Sequence, residues 1–232
     1  MLIQELTLYT ADVAAQAAFY REVLRLPTEE STGRVQVTAG RTRMIFTHQP
    51  GWQGIYHFAF DVPENQLDAA CDWLNGRADF LTLNGESRFH SDNWNADMVY
   101  FEDSAGNILE FIARHNQPNA SQHAFSERSL LAVTEIGLGT RDVRSTVGQL
   151  MAELGQRTYD GGGSSTFSAV GDEDGLFIVV HHERPWFPET GQPGGLYPFT
   201  ARLAQPNTIV QVNNGVIRIN AVPAATHPFE AI

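Results

Sequence analysis

Glu5-Leu6-Thr7-Leu8-Tyr9-Thr10-Ala11-Asp12-Val13 returns 130 residues later as Glu135-Ile136-Gly137-Leu138-Gly139-Thr140-Arg141-Asp142-Val143, and this repeat decides the fold. Each copy alternates in strand period: Leu6 and Leu8 share one face, and Glu5, Thr7 and Tyr9 share the other. Each copy then closes on Thr-x-Asp-Val. Asp12 and Asp142 suit a helix N-cap, because a carboxylate accepts free backbone N–H groups and favours the positive helix end. Helical periodicity follows both times, with Val13, Phe19, Tyr20, Val23 and Leu24 as one stripe and Val143, Val147, Leu150, Met151 and Leu154 as the other.

Two strands joined by a turn follow each helix. Residues 35–38 and 44–48 form the first pair, and residues 167–170 and 176–182 the second. Both copies end alike, on His48-Gln49-Pro50-Gly51-Trp52 and His182-Glu183-Arg184-Pro185-Trp186. A further unit lies between them, with a strand at 56–62, a helix at 64–74 and closing strands at 98–101 and 108–113 around the turn Glu102-Asp103-Ser104-Ala105-Gly106-Asn107. Repeated supersecondary units settle an architecture. The expectation is an α+β fold of strand–helix–strand–strand modules over 1–50, 51–116 and 130–190, with a polar linker at 117–129. A C-terminal hairpin is expected at 208–212 and 216–221 around Asn213-Asn214-Gly215. Residues 1–116 then form one complete two-module domain and residues 130–232 a second, degenerate one.

Composition narrows the function. The 232 residues are 42% hydrophobic, enough for a sizeable core. The single cysteine, Cys71, sits in the helix at 64–74 and reads as a buried inert thiol in a reducing, cytoplasmic setting. A net charge of −12 argues against nucleic acid or an anionic membrane as partner, and no apolar run is long enough to span a bilayer. The expected partner is a small molecule. The Gly161-Gly162-Gly163-Ser164 run precedes a strand and lacks Lys-Ser/Thr at phosphate-loop spacing, so it reads as a turn.

Three polar residues sit mid-strand: Glu5, His57 in Tyr56-His57-Phe58-Ala59-Phe60, and Glu110 in Ile108-Leu109-Glu110-Phe111. A polar group pointing inward is costly unless satisfied, and a shared divalent metal would satisfy all three. The plainer readings are a hydrogen-bonded core histidine and solvated glutamates, or a metal-free pocket. His48 reads as structural, since it recurs at the strand end as His181-His182. Phe89-His90-Ser91-Asp92-Asn93-Trp94 precedes the strand that returns to the site. That order places His90 and Trp94 at its mouth, for substrate contact or for plain packing.

With these phrases in view, the chain resembles the vicinal oxygen chelate superfamily of glyoxalase I, bleomycin- and fosfomycin-resistance proteins and extradiol dioxygenases. The resemblance rests on Glu5–Tyr20, on Tyr56–Phe60, and on Tyr100-Phe101-Glu102-Asp103 leading to Gly106-Asn107-Ile108-Leu109-Glu110-Phe111. It implies paired βαβββ modules curled into an open mixed-sheet barrel around a metal, with Glu5, His57 and Glu110 as ligands and Glu110 or Glu5 as general base. One imidazole with two carboxylates is a harder set than the two-His, one-carboxylate site of Fe(II) dioxygenases. It favours Mn²⁺, Zn²⁺, Ni²⁺, Co²⁺ or Mg²⁺ over Fe. Met44-Ile45-Phe46-Thr47 lacks the fourth ligand of glyoxalase I. Isomerase or lyase chemistry on a substrate with vicinal oxygens is the leading expectation. A metal-free binding protein of the bleomycin-resistance type is the alternative, and a ring-cleavage dioxygenase the second.

A single site is expected. Glu135 repeats Glu5, but the residues after Gly191 offer no inward histidine or closing glutamate, only Arg218 on a strand and His227 in a Pro-flanked tail. Module three is then expected to cover the first barrel or to mediate a homodimer, and a fragment ending at Asn116 to keep the metal.

Overall fold

Strand–cap–helix phrases fold here as their residues require. In the computed structural model, which describes residues 1–159, 162–204 and 207–222, module one runs β1 (Ile3–Thr10), α1 (Val13–Ala18) continuing into a π-turn (Phe19–Val23), β2 (Thr28–Ser31), β3 (Arg34–Ala39) and β4 (Thr42–His48). Module two runs β5 (His57–Val62), α2 (Leu67–Leu74), β6 (Arg88–Ser91), β7 (Ala96–Glu102) and β8 (Ile108–Arg114). Module three has β9 (Ala132–Thr140), α3 (Val143–Leu154), β10 (Phe167–Asp172) and β11 (Gly175–His181). A final meander comprises β12 (Phe199–Leu203), β13 (Thr208–Asn213) and β14 (Val216–Ala221). The two N-caps are in place: Asp12 Oδ1 accepts Ala15 N–H at 2.9 Å, and Asp142 Oδ1 accepts Ser145 N–H at 3.0 Å. His227 and Gly161 lie outside the described residues.

The strands form two curled, seven-stranded mixed sheets, ordered β14-β13-β12-β1-β4-β3-β2 and β10-β11-β9-β5-β8-β7-β6. The pairing of modules corrects the expected one. Module one shares its sheet with the C-terminal meander, and module two shares its sheet with module three. Each first strand has its own module's last strand on one side, β1 parallel to β4 and β5 parallel to β8. Its other edge must find a partner. β12 fills that place for β1, and β9 fills it for β5, both antiparallel. Alternation makes a strand competent to pair but does not name its partner, so residues 1–116 are divided between the two sheets.

The two sheets hold a common core through their inner faces, where Phe46, Phe58, Phe60, Phe101 and Phe111 are fully buried. Two devices fix the halves. Asp103, buried in the β7–β8 turn, accepts Ala105 and Asn107 N–H on Oδ1. Its Oδ2 accepts the Gln16 amide, the Tyr20 hydroxyl and the Asn107 amide. Asn107 Oδ1 in turn accepts Tyr56 N–H at 2.8 Å. The Glu-Asp-x-x-Gly-Asn phrase is therefore a joint between module one's helix and module two's hairpin. Thr42 is the second device: its hydroxyl donates to Ile3 O at 2.8 Å and accepts Val133 N–H at 3.0 Å, tying β1 to β9.

Thr42→Val keeps the shape and leaves the buried Val133 N–H without that acceptor. The expected loss is about 1–3 kcal/mol in urea unfolding. An unchanged midpoint would show that the Thr42 bridge does not hold the sheets.

Candidate metal centre

Alternation along four strands sends one row of side chains to the open face of the second sheet. Ala59 on β5 is paired with Glu110 on β8 and with Glu135 on β9, and Glu110 is paired with Tyr100 on β7. Ala59 contributes only a methyl between the two carboxylates. One step along β5, His57 projects from the same face. Potential ligand atoms of His57, Glu110 and Glu135 all lie within 4.8 Å of one another. The three residues are 6%, 2% and 2% exposed, so they meet inside the protein.

Two of the three expected residues are thus brought together, and the third is corrected. Glu5 lies in the other sheet, flanked by Arg43 on β4 and Arg202 on β12, and it forms an ion pair with Arg43. Its place beside His57 and Glu110 is taken by Glu135, its counterpart in the 130-residue repeat. The reason is the strand pairing: β9, not β1, lies against β5. A fragment ending at Asn116 would lack Glu135 and keep only His57 and Glu110 of this group. Glu135 was visible as a repeat, and Gly137 and Gly139 were the overlooked signal. They stand where the first copy has Thr7 and Tyr9, and glycine inside a strand marks close approach of other chain. A Cβ on Gly137 would lie 2.6 Å from the Trp186 ring, and one on Gly139 would lie 1.6 Å from Gly195 O. The segment after β11 rests there and walls the site.

Each polar group has a defined state. His57 Nδ1 faces Ile108 O at 3.2 Å, and a carbonyl can only accept, so Nδ1 carries the proton and Nε2 offers its lone pair inward. Burial lowers the imidazole from 6.5 to about 4, opposed by that hydrogen bond. His57 Nε2 is 3.6 Å from Glu110 Oε2. Glu135 is ion-paired with Arg114, whose side chain is fully buried. Burial first, then repulsion from Glu135, raises Glu110 well above the usual carboxylate range, opposed by Arg114 and the Tyr100 hydroxyl. Glu135 is raised by burial and held back by Arg114. Between the two, Glu110 is the one whose proton is favoured, because Arg114 pairs with Glu135. Burial also raises Asp61, two residues along β5 from Ala59, to about 7 against the pull of Arg114.

Above these groups opens a cavity of ≈ 320 Å³ walled by Phe89, Trp94, Tyr100, Trp186 and Phe187. Trp186 packs 4.8 Å from the His57 ring, centroid to centroid. His90 and Trp94 do line this cavity. Another grouping, His181, His182 and Glu183, also brings ligand atoms within 4.8 Å, but it is formed by consecutive, partly exposed residues at the end of β11.

The donor set suits a divalent cation. It offers a neutral imidazole nitrogen with its tautomer fixed, and two carboxylates whose mutual repulsion a cation would relieve. The 3.6 Å between His57 and Glu110 is within the span of two ligands each about 2.1 Å from one ion.

No protein-family model and no curated protein sequence matches the chain. Among solved structures, a "putative dioxygenase" from Bacillus subtilis superposes with a TM-score of 0.58 at 14% identity, covering 94% of this chain and 69% of that one. A mutant glyoxalase I from Zea mays gives 0.56 at 12% identity, covering 94% and 91%. At these identities the likeness is one of fold.

In metal-free protein, His57 is expected to remain the neutral Nδ1–H tautomer at pH 5.5 and to titrate near 4. Because the folded value lies below the unfolded one, the stability His57 contributes is present above pH 6.5 and is lost as pH falls through about 4. Long-range ¹⁵N correlation spectra read the ring directly. An imidazolium at pH 6 would contradict the assignment.

Proposed function

We propose that this chain, which has the fold of the vicinal oxygen chelate superfamily, is a metal-dependent enzyme of isomerase or lyase type acting on a small substrate with vicinal oxygens. The observation that carries the reading is the buried convergence of His57, Glu110 and Glu135 at the floor of an aromatic cavity. Two carboxylates buried side by side are costly, and a merely absorbing pocket has no use for them. His57 through Nε2 and Glu135 through the carboxylate that Arg114 orients would hold a divalent ion, with Glu110 completing the set. When bound, the ion supplies Lewis-acid polarisation of a substrate carbonyl and a template for two oxygens.

The chain's own residues divide the remaining work. Arg114 fixes Glu135, so that carboxylate is a constant ligand. Among the described residues no cation is bonded to Glu110, which sits beside the Tyr100 hydroxyl. With an ion bound Glu110 would be deprotonated, and it would then be the carboxylate able to leave the ion, take a proton next to the carbonyl and return it. Its raised proton affinity, caused by burial and by Glu135, suits a group that takes up a proton. Trp94, Trp186 and Phe187 keep water from the reacting carbon.

The aromatic walls also favour the second reading, a binding protein without chemistry. Metal content and hydron exchange separate the two. Wild type is expected to hold one divalent ion per chain by elemental analysis. It is also expected to exchange the carbon-bound hydrogen of small α-hydroxyketones in D₂O, followed by ¹H NMR. Glu135→Gln should lower metal affinity at least about tenfold, and Glu110→Gln should abolish exchange while some metal remains. Wild type that takes up no ion and exchanges no hydrogen would leave the binding reading in place.

A further inference from the structure

Arg184 is a cation on the cavity wall that the proposed chemistry does not use. It lies in the segment after β11, and its backbone is pinned on both sides. Its N–H donates to His181 O at 2.9 Å, and its carbonyl accepts Gly194 N–H at 2.9 Å. The guanidinium stacks 5.1 Å above the Phe167 ring and donates to Pro185 O at 3.3 Å. Among the described residues no carboxylate pairs with it. Arg21, Arg41, Arg43, Arg88, Arg114 and Arg128 each have an acidic partner; of the arginines that do not, Arg184 is the one lining this cavity. Burial alone lowers its proton affinity, with no neighbouring charge opposing it. A half-buried arginine fork that faces a cavity and has no anion of its own is a site for one.

The cavity is therefore polarised, with the Glu110–Glu135 pair at its floor, Arg184 on its wall and aromatic rings between. We propose that Arg184 binds a carboxylate of the substrate, so that the site takes an aromatic or otherwise apolar carboxylic acid whose reacting oxygens lie away from that carboxylate. The chemistry half of this statement rests on the function proposed above; the anion half rests on Arg184 alone. A carboxylate fits better than a phosphate. Arg184 supplies one positive charge, and Arg114, the other guanidinium at the site, is already taken by Glu135, so a dianion would have no second cation to meet. At ≈ 320 Å³ the space is at the low end for small-molecule sites and suits a single-ring acid.

The test uses full-length protein, both as purified and after dialysis against a chelator. Calorimetric titration compares 3-phenylpropanoate with its neutral isostere 3-phenylpropanamide and with phenylphosphonate. None of these probes has vicinal oxygens at the far end, so they report on Arg184 and not on turnover. The carboxylate should bind about tenfold or more tightly than the amide in both preparations, and more tightly than the phosphonate. Arg184→Gln should erase the preference by weakening the carboxylate and leaving the amide unchanged. Arg184→Lys should retain part of it, and that intermediate result excludes a simple collapse of the wall. Equal binding of carboxylate and amide by wild type, or a preference that survives Arg184→Gln, overturns the proposal. Tighter binding of phenylphosphonate overturns the choice of carboxylate. A preference seen only before chelation would place the anion on a metal and overturn the role of Arg184. If the charge preference holds while hydron exchange and metal uptake fail, the anion site stands and the enzymatic reading falls.

Discussion

Everything at the site depends on the antiparallel seam between β5 and β9. The seam sets Glu135 and Glu110 on either side of Ala59, whose methyl group leaves room for both carboxylates to turn toward one point. Taking such groups out of water costs on the order of several kcal/mol per ion unless partners repay it. Arg114 repays part, through Glu135. It leaves Glu110 holding a proton that a cation or a reacting substrate would displace. The strand pairing thus creates an electrostatic deficit at a defined place, on the floor of a cavity walled by aromatic rings.

The other sheet shows what the same phrase does without that deficit. Glu5 opens an equivalent strand and is flanked in register by Arg43 and Arg202. It is half-buried rather than enclosed, and its ion pair with Arg43 lies near solvent, where such pairs contribute little. The two copies also differ in cover. Gly137 and Gly139 admit the chain around Trp186 and Gly195 onto β9, whereas on β1 the Tyr9 side chain occupies the position of Gly139 and packs 5.6 Å from the Trp52 ring. The absence of a side chain at Gly137 thereby lets Trp186 form one wall of the cavity over this sheet face.

Much of this was legible in the sequence, and the part that was not has a physical reason. The α+β architecture of modules, both aspartate caps, the C-terminal hairpin and the inward placement of His57 and Glu110 follow from periodicity and local hydrogen bonding. β2 and β6 went unread because they are short, polar edge strands whose burial never departs far from solvent. β12 went unread although Phe199-Thr200-Ala201-Arg202-Leu203 alternates, because its partner β1 is nearly two hundred residues away in sequence. The choice between Glu5 and Glu135 was a question of which strand edge meets β5. Alternation is identical in both copies, so that choice belongs to tertiary pairing. The strand glycines, and not the glutamates, carried the usable difference.

The phrase that most clearly marks the fold turns out to be remote from the chemistry it accompanies. Asp103 and Asn107 spend all their hydrogen bonds on Gln16, Tyr20, Tyr56 and their own turn. Their work is to set the angle between α1 and the β7–β8 hairpin. Glu110, three residues after Asn107 on β8, inherits its position from that joint, since β8 starts where the turn ends. A fold-marking motif and a site residue can therefore lie side by side in sequence while answering to different constraints. The turn must be satisfied internally, whereas Glu110 must stay unsatisfied by the protein if it is to exchange a proton. Scaffold joints can be kept on their own terms while the groups at the floor and wall of the cavity, Glu135 and Arg184 among them, are set by whichever strand and loop the pairing brings alongside.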